Sequence, residues 1–147
     1  MPVEYKRGVY VQENSYKLDE ARMQSFMPKD VKLKLIIDGG SFKRLCEINQ
    51  ELLILAPAVV MLGHAPDFSS NGHGYFTRCD ETVSTINSIF WLNAEYPGAK
   101  IIVFGSEEDK KKIMNGAGKG RVAEFYARGK VNGYVERDLA DIILAHL

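Results

Sequence analysis

The sequence predicts a three-layer, doubly wound α/β fold, in which a five-stranded parallel sheet carries helices on both faces. Three observations predict it. Short apolar runs alternate with amphipathic stretches from residue 9 onward, as expected when helices join parallel strands. The run at residues 58–62 is apolar throughout, as a central strand covered on both faces must be. Right-handed crossovers between five such units favour the strand order 2-1-3-4-5.

The first half of the chain supplies two strand–helix units. Residues 8–11 form the first predicted strand, and the polar cluster at residues 12–15 caps a helix that Pro28 ends. Residues 31–37 form the second predicted strand. The helix after it, at about 42–56, has apolar residues at near-helical spacing. These two units precede the central strand.

A long connection follows the central strand. Residues 65–78 are rich in Ser, Asn and Gly and also hold aromatic residues. Loops of this length inside a domain are uncommon unless they are functional or mobile. The sequence therefore predicts an insertion here, in an otherwise regular frame.

The third predicted helix spans residues 80–94, and the fourth strand spans 100–104. Trp91 lies one position off the apolar stripe of that helix, so it either completes the core or anchors an interface, where aromatic residues are enriched. The residues expected on the buried stripe are Val83, Ile86, Ile89 and Phe90.

The last part of the chain combines a second insertion with a final unit. Residues 107–121 contain a charged segment and a glycine-rich run, so we expect a broken or delayed fourth helix that reaches residues 122–128. The fifth strand is expected at 131–135 and the fifth helix at 139–146.

Size and charge limit the classes of function. The 147 residues suit a single domain, 1–147, since one core is built from roughly 100 to 200 residues. Lys plus Arg equals Asp plus Glu at 19 each, so nucleic-acid binding is not expected, although Lys110, Lys111 and Lys112 form a local basic run. No apolar stretch approaches the ~20 residues that cross a bilayer, and the first residues are unlike a signal peptide. We therefore expect no membrane partner and a cytoplasmic location.

Three segments resemble the receiver domain of bacterial response regulators, and the resemblance covers residues 8–147 apart from the two insertions. Residues 96–106, YPGAKIIVFGS, are similar to the fourth receiver strand. Residues 127–138, ARGKVNGYVERD, are similar to the family segment A-G-A-x-G-Y-L-x-K. Residues 57–62, PAVVML, are similar to the family run P-D-V-V-L-L. The resemblance implies the flavodoxin-like, CheY-like version of the predicted fold.

The resemblance also implies a phosphorylation pocket, and most of its chemistry is missing. Receivers need an acidic pair after the first strand and an aspartate at the end of the third, which hold a magnesium ion against a phosphoryl group. Here Glu13 keeps one acid, Asn14 replaces the other, and Gly63 occupies the aspartate position. Without a carboxylate nucleophile, an aspartyl phosphate cannot form at that position.

The switch positions of the family are altered as well. Gly105, followed by Ser106, aligns with the hydroxyl-bearing switch residue; Arg137 aligns with the lysine of the fifth strand, and Tyr134 with the switch aromatic. The resemblance thus implies a degenerate pseudo-receiver without catalytic residues, metal or cofactor. Such a module would bind a protein partner or itself through its fourth helix, fifth strand and fifth helix.

Two other functions remain open at this stage. One is a small-ligand-binding or enzymatic domain, because Gly63 and Gly105 lack side chains and could leave space for a small molecule under the loop at 65–78. The other is transcription regulation, because receivers often precede DNA-binding modules. This chain ends at the fifth predicted helix, so an output module would belong to a longer protein.

Two weaker signals favour ordinary structural roles. His64, His73, Cys79 and Asp80 include zinc-compatible types, but their spacing matches no compact zinc motif. The run at residues 116–120 resembles a phosphate-binding loop, yet Lys119 is followed by Gly120 rather than by serine or threonine. We therefore predict neither a metal ion nor a nucleotide.

Overall fold

The sheet has the predicted topology. The computed structural model describes residues 6–13, 18–36, 50, 55–64, 81–118, 120–127 and 135–147. All strands are parallel and lie in the order β2-β1-β3-β4-β5, which confirms the predicted order. The strands are β1 (Arg7–Glu13), β2 (Val31–Ile36), β3 (Pro57–His64), β4 (Lys100–Gly105) and β5 (Glu124–Ala127).

Helices cover both faces of the sheet. In the part of the chain that the structure describes, they are α1 (Glu20–Ser25), α2 (Glu81–Glu95), α3 (Glu107–Ala117) and α4 (Glu136–His146). The predicted helix at 42–56 and the insertion at 65–78 lie mostly or wholly outside the described residues. Within the described ranges, no helix combines the length and the apolarity needed to cross a bilayer.

The two faces of the sheet form two separate cores because successive side chains of a strand point to opposite faces. Val9 and Val11 of β1 lie in the core that α1 and α4 cover, together with Met23 and Leu139. Tyr10, between them, lies in the core that α2 and α3 cover. Residues 59–62 of β3 are all buried, which confirms the prediction of a central strand.

Helix α1 protects the outer edge of β2. The Gln24 side chain donates from Nε2 to the Val31 carbonyl and accepts from the Leu33 amide, both at 2.8 Å. The Glu20 carboxylate accepts from the Leu35 amide at 2.8 Å. Side chains therefore satisfy backbone groups that would otherwise be open to pairing with another strand.

The prediction for the segment before β5 is wrong. Residues 107–117, expected to be an insertion, form α3, and residues 124–127, expected to be helical, form β5. Phe125 and Ala127 are buried while Glu124 is exposed, so this short segment alternates with the period of a strand. The fifth strand therefore lies earlier in the chain than the predicted 131–135, of which 131–134 are outside the described residues.

The glycine-rich run ends α3 and turns the chain. A side chain at Gly116 would overlap Ile86 of α2, so this glycine allows the two helices to approach closely. Gly118 follows the last helical residue with a φ of 87°, and Gly120 has a φ of 85°, a conformation that other residues rarely adopt. The run is thus explained by packing and turn geometry.

The structure contradicts the expected place of Phe90 on α2 and shows which of the two alternatives for Trp91 it adopts. Phe90, expected in the core, is 41% exposed, and the Arg121 guanidinium lies 4.7 Å from its ring centroid. Trp91 packs against the core and makes an edge-on contact with Tyr96, with ring centroids 6.1 Å apart. Phe90, rather than Trp91, is therefore the more exposed aromatic residue of this helix.

Candidate functional site

The candidate site lies at the carboxyl edge of the sheet, where parallel α/β folds usually place their ligands. Strand β1 ends at Glu13, β3 at His64 and β4 at Gly105. Glu13 is in register with His64, and β3 lies between β1 and β4, so the three strand ends are neighbours. Asn14 and Tyr134, two of the predicted site residues, lie outside the described residues.

Strand β1, which lies between β2 and β3, ends in two polar residues. Gln12 and Glu13 are both fully buried. The Tyr10 hydroxyl donates to Gln12 Oε1 at 2.8 Å, and Tyr10 is also fully buried. Glu13 was a predicted site residue, whereas Gln12 and Tyr10 were not. Tyr10 and Gln12 are two residues apart and so lie on the same face of an inner strand, and this spacing could have predicted their hydrogen bond.

Removing the Tyr10 hydroxyl should destabilise the protein. We expect Tyr10→Phe to lower the free energy of unfolding by about 1–2 kcal/mol, because the buried Gln12 amide loses a hydrogen-bond donor. In the Gln12→Leu background, where this bond is already absent, Tyr10→Phe should cost less than it does in wild type. Urea denaturation measures wild type, the two single variants and the double variant. Equal stability of wild type and Tyr10→Phe would contradict the role of this bond.

Gly63 is the extra residue of an irregularity in β3. Gln12 pairs with Leu62, and Glu13 pairs with His64, so Gly63 has no partner position on β1. Such irregularities are over-represented beside functional sites and at sheet edges. Glu13 is the only carboxylate among the final residues of the five described strands. The third strand thus ends without an acidic side chain.

Phe125 occupies the space next to Gly105. A Cβ atom added to Gly105 would lie 3.0 Å from Phe125 Cζ and 3.5 Å from Cε2. Phe125 is buried, and its strand pairs directly with β4. The side chain packed against Gly105 is therefore that of Phe125, which sequence reasoning missed because it placed the fifth strand too late.

A hydroxyl-bearing side chain at Gly105 should not fit without rearrangement. We expect Gly105→Thr to lower the free energy of unfolding by about 2 kcal/mol, because the added atoms crowd the Phe125 ring. Leucine at position 125 leaves more room beside position 105. Gly105→Thr should therefore lower the free energy of unfolding by less in the Phe125→Leu background than it does in wild type. A double-mutant cycle by urea denaturation measures this coupling. Strictly additive losses would show that the two positions are independent.

Ser106 caps a helix. Its Oγ accepts a hydrogen bond from the Asp109 amide at 3.1 Å, and its backbone is extended, as is usual for the residue before a helix. Ser106 is exposed. Its hydroxyl therefore satisfies a backbone amide of α3.

Arg137 does not lie on the fifth strand. It belongs to the first turn of α4, and its guanidinium lies 5.6 Å from the centroid of the Phe26 ring. The expectation that Arg137 occupies the position of the strand lysine is thus wrong, because β5 ends at Ala127. Arg137 instead contacts the residue that follows α1.

Among the described residues at the carboxyl edge, the starts of three helices are rich in acids. Each described helix follows a strand and therefore begins at this edge, and carboxylates near helix N-termini interact favourably with the helix dipole. The Glu136 carboxylate accepts a hydrogen bond from the Asp19 amide at 3.0 Å, which links the start of α4 to that of α1. The acids at these helix starts are Asp19, Glu20, Glu107, Glu108, Asp109, Glu136 and Asp138.

This charge distribution affects which ligands the edge can accept. The acids occupy helix N-termini that could otherwise attract an anion, and Glu13 adds a buried carboxyl group at the end of β1. The charge of these described residues disfavours a phosphate or nucleotide beside them. No group of three or more His, Cys, Asp and Glu side chains within the described residues could hold a metal ion, and His73, Cys79 and Asp80 lie outside them.

Functional assignment rests on this geometry, because comparison with protein-family models gives no match and comparison with curated proteins gives no significantly similar sequence. The fold itself is shared by proteins with many different activities. We therefore base the functional assignment on two features, which are the residues at the carboxyl edge and the surface formed by α3, β5 and α4.

Proposed function

We propose that the chain is a phosphorylation-independent signalling module of the receiver type, which acts by binding a protein partner or a second copy of itself. The observation that supports the proposal most is the pair of glycines at the carboxyl edge. Gly63 offers no carboxylate at the end of β3, and the space beside Gly105 is occupied by the Phe125 ring. A phosphoryl group would therefore find neither a nucleophile nor a hydroxyl partner at these two positions.

The electrostatics of the edge agree with this proposal. A phosphoryl group needs a cation or hydrogen-bond donors to compensate its charge. The helix that begins beside Gly105 instead carries Glu107, Glu108 and Asp109 in its first turn. Arg137, in the first turn of α4, is a cation at the same edge, and its guanidinium lies over the Phe26 ring. The described residues that begin the helix after Gly105 thus add negative charge rather than compensating it.

The proposed contact surface comprises α3, β5 and α4. These three elements are adjacent, since β5 is the last strand of the sheet and α3 and α4 cover its two faces. Lys110 of α3 and Ala145 of α4 are both exposed. We place the partner here because the outer edge of β2 is already satisfied by the side chains of α1.

The rival function is ligand binding or enzymatic catalysis above Gly63 and Gly105. It was favoured because neither glycine has a side chain, and at Gly105 this observation has another explanation. A Cβ atom at Gly105 would crowd the Phe125 ring, so the missing side chain makes room for Phe125. A native mass spectrum of the purified protein separates the two functions. The mass of the chain alone, or of its oligomer, agrees with an interaction module, whereas a retained small molecule favours the rival.

The test of the contact surface is affinity capture with matched variants, in which bound proteins are identified and their binding is quantified. We expect one partner, or further copies of the chain, to bind wild type and the Lys29→Glu control but to bind Lys110→Glu and Ala145→Arg much more weakly. Binding should be the same with and without magnesium and acetyl phosphate. Loss of binding in the control alone, or binding that requires acetyl phosphate, contradicts the proposal. Fractionation of the source cells tests the cytoplasmic location that the proposal includes.

A further inference from the structure

A cluster of polar side chains joins the edge strand to the last turn of the chain. The Tyr126 hydroxyl donates to Glu124 Oε2 at 2.8 Å. His146 Nε2 lies 3.4 Å from the same Oε2 atom and 3.5 Å from the Tyr126 hydroxyl. Three potential metal-binding atoms, from β5 and α4, thus converge. They lie away from the carboxyl edge, because Glu124 begins β5 and His146 ends α4.

The distance between His146 Nε2 and Glu124 Oε2 is compatible with two ligands of one metal ion. A charge-assisted N–H···O bond is normally about 2.7–2.9 Å long. Two ligands bound to one zinc ion at about 2.0–2.1 Å in tetrahedral geometry are separated by roughly 3.3–3.4 Å. The observed 3.4 Å matches the second value. Imidazole nitrogen and carboxylate oxygen are both ordinary zinc ligands.

Tyr126 orients the carboxylate. Its ring stacks on Phe104, with centroids 5.3 Å apart and planes 20° from parallel, which fixes the position of the hydroxyl. The hydroxyl donates to Glu124 Oε2, in the manner of the outer-shell groups that hold metal ligands in place.

We propose that Glu124 Oε2 and His146 Nε2 bind a zinc ion, with the Tyr126 hydroxyl as the group that positions the carboxylate. The Glu124 side chain is 51% exposed and that of His146 is 15% exposed, so water can reach the ion and complete its coordination. The ion links β5 to the end of α4. This site is independent of the function proposed above, although it lies on the same surface.

The experiment uses the full chain without an affinity tag, treated with chelator and then titrated with zinc chloride by isothermal calorimetry. We expect saturable binding in wild type, no binding at this site in Glu124→Gln or His146→Ala, and an affinity roughly tenfold lower in Tyr126→Phe. The exposed Glu108→Gln is the matched control and should bind as wild type does. The His146 ring signals should shift on zinc addition in an NMR spectrum of wild type.

Two results would overturn the proposal. One is zinc uptake by Glu124→Gln equal to that of wild type, which would place any bound zinc at other residues. The other is a folded wild-type protein whose His146 signals do not move at saturating zinc. Because Glu124 is half exposed, its substitution should leave the fold intact, and circular dichroism checks this.

Discussion

Replacing Phe104 by alanine is expected to lower the free energy of unfolding by about 3–5 kcal/mol. Phe104 is 1% exposed and belongs to the largest fully buried side chains of the described chain. It lies in the core that α1 and α4 cover, and its ring stacks on Tyr126. The alanine variant loses the buried area of the ring and leaves a cavity between β4 and α4. Urea denaturation followed by circular dichroism measures the difference.

The control for this prediction is Phe104→Leu, which keeps an apolar side chain and should lose considerably less stability. We also expect Phe104→Ala to weaken the cluster of Glu124, Tyr126 and His146, because the stacked ring fixes Tyr126. A loss below about 1 kcal/mol in the alanine variant would show that Phe104 is not packed as described.

Replacing Gly8 by alanine is expected to have the second largest effect, about 3 kcal/mol of lost stability. A Cβ atom at Gly8 would lie 2.6 Å from both the Leu55 carbonyl oxygen and Leu55 Cγ. A side chain can rotate away, but the backbone carbonyl moves only if the chain before β3 shifts. Gly8 also adjoins an irregularity in the pairing of β1 with β3, so the strands already deviate from regular register there.

Gly98→Ala is the matched control for Gly8→Ala. No heavy atom lies within 4 Å of a Cβ added at Gly98. We expect its stability to remain within about 0.5 kcal/mol of wild type, as for most surface substitutions. Thermal unfolding of the three proteins provides the comparison. Equal losses at Gly8 and Gly98 would mean that the close approach of Leu55 has no energetic consequence.

The central part of the fold was predictable because its signals are strong and local. An apolar run such as residues 59–62 has few alternatives to a buried strand, and the spacing of such runs then limits the topology. The site residues Glu13, Gly63 and Gly105 followed from the same frame, because each ends or nearly ends a strand. Their neighbours Gln12 and Phe125 required knowledge of pairing and packing.

The secondary structure after β4 could not be predicted from the sequence, and the reasons are physical. Glu124–Ala127 is only four residues long, so its alternation is weak and reads equally well as part of a helix. The later residues 131–135 lie in the segment that resembles the receiver family, and they were predicted as the fifth strand instead. The charged start of α3 resembles a loop in composition, yet Ser106 caps it and its acids favour a helix N-terminus.

The wrong placement of Phe90 on the buried face has a similar origin. The two are adjacent on α2, and helical periodicity alone places either one near the edge of the buried face. The contact of Trp91 with Tyr96 and the position of Arg121 over Phe90 decide between them. Both depend on residues that lie beyond the helix itself.

The central claim, signalling without phosphorylation, is tested most directly by incubating the protein with magnesium and either acetyl phosphate or beryllofluoride. Intact mass reports covalent phosphate, and amide NMR signals of Glu13, Gly63 and Gly105 report binding at the carboxyl edge. We expect no gain in mass and no shift of these signals, because β3 ends without a carboxylate and Phe125 fills the space beside Gly105. A gain of one phosphoryl group, or shifts centred on these residues, would contradict the claim and show that a conventional phosphorylation switch survives.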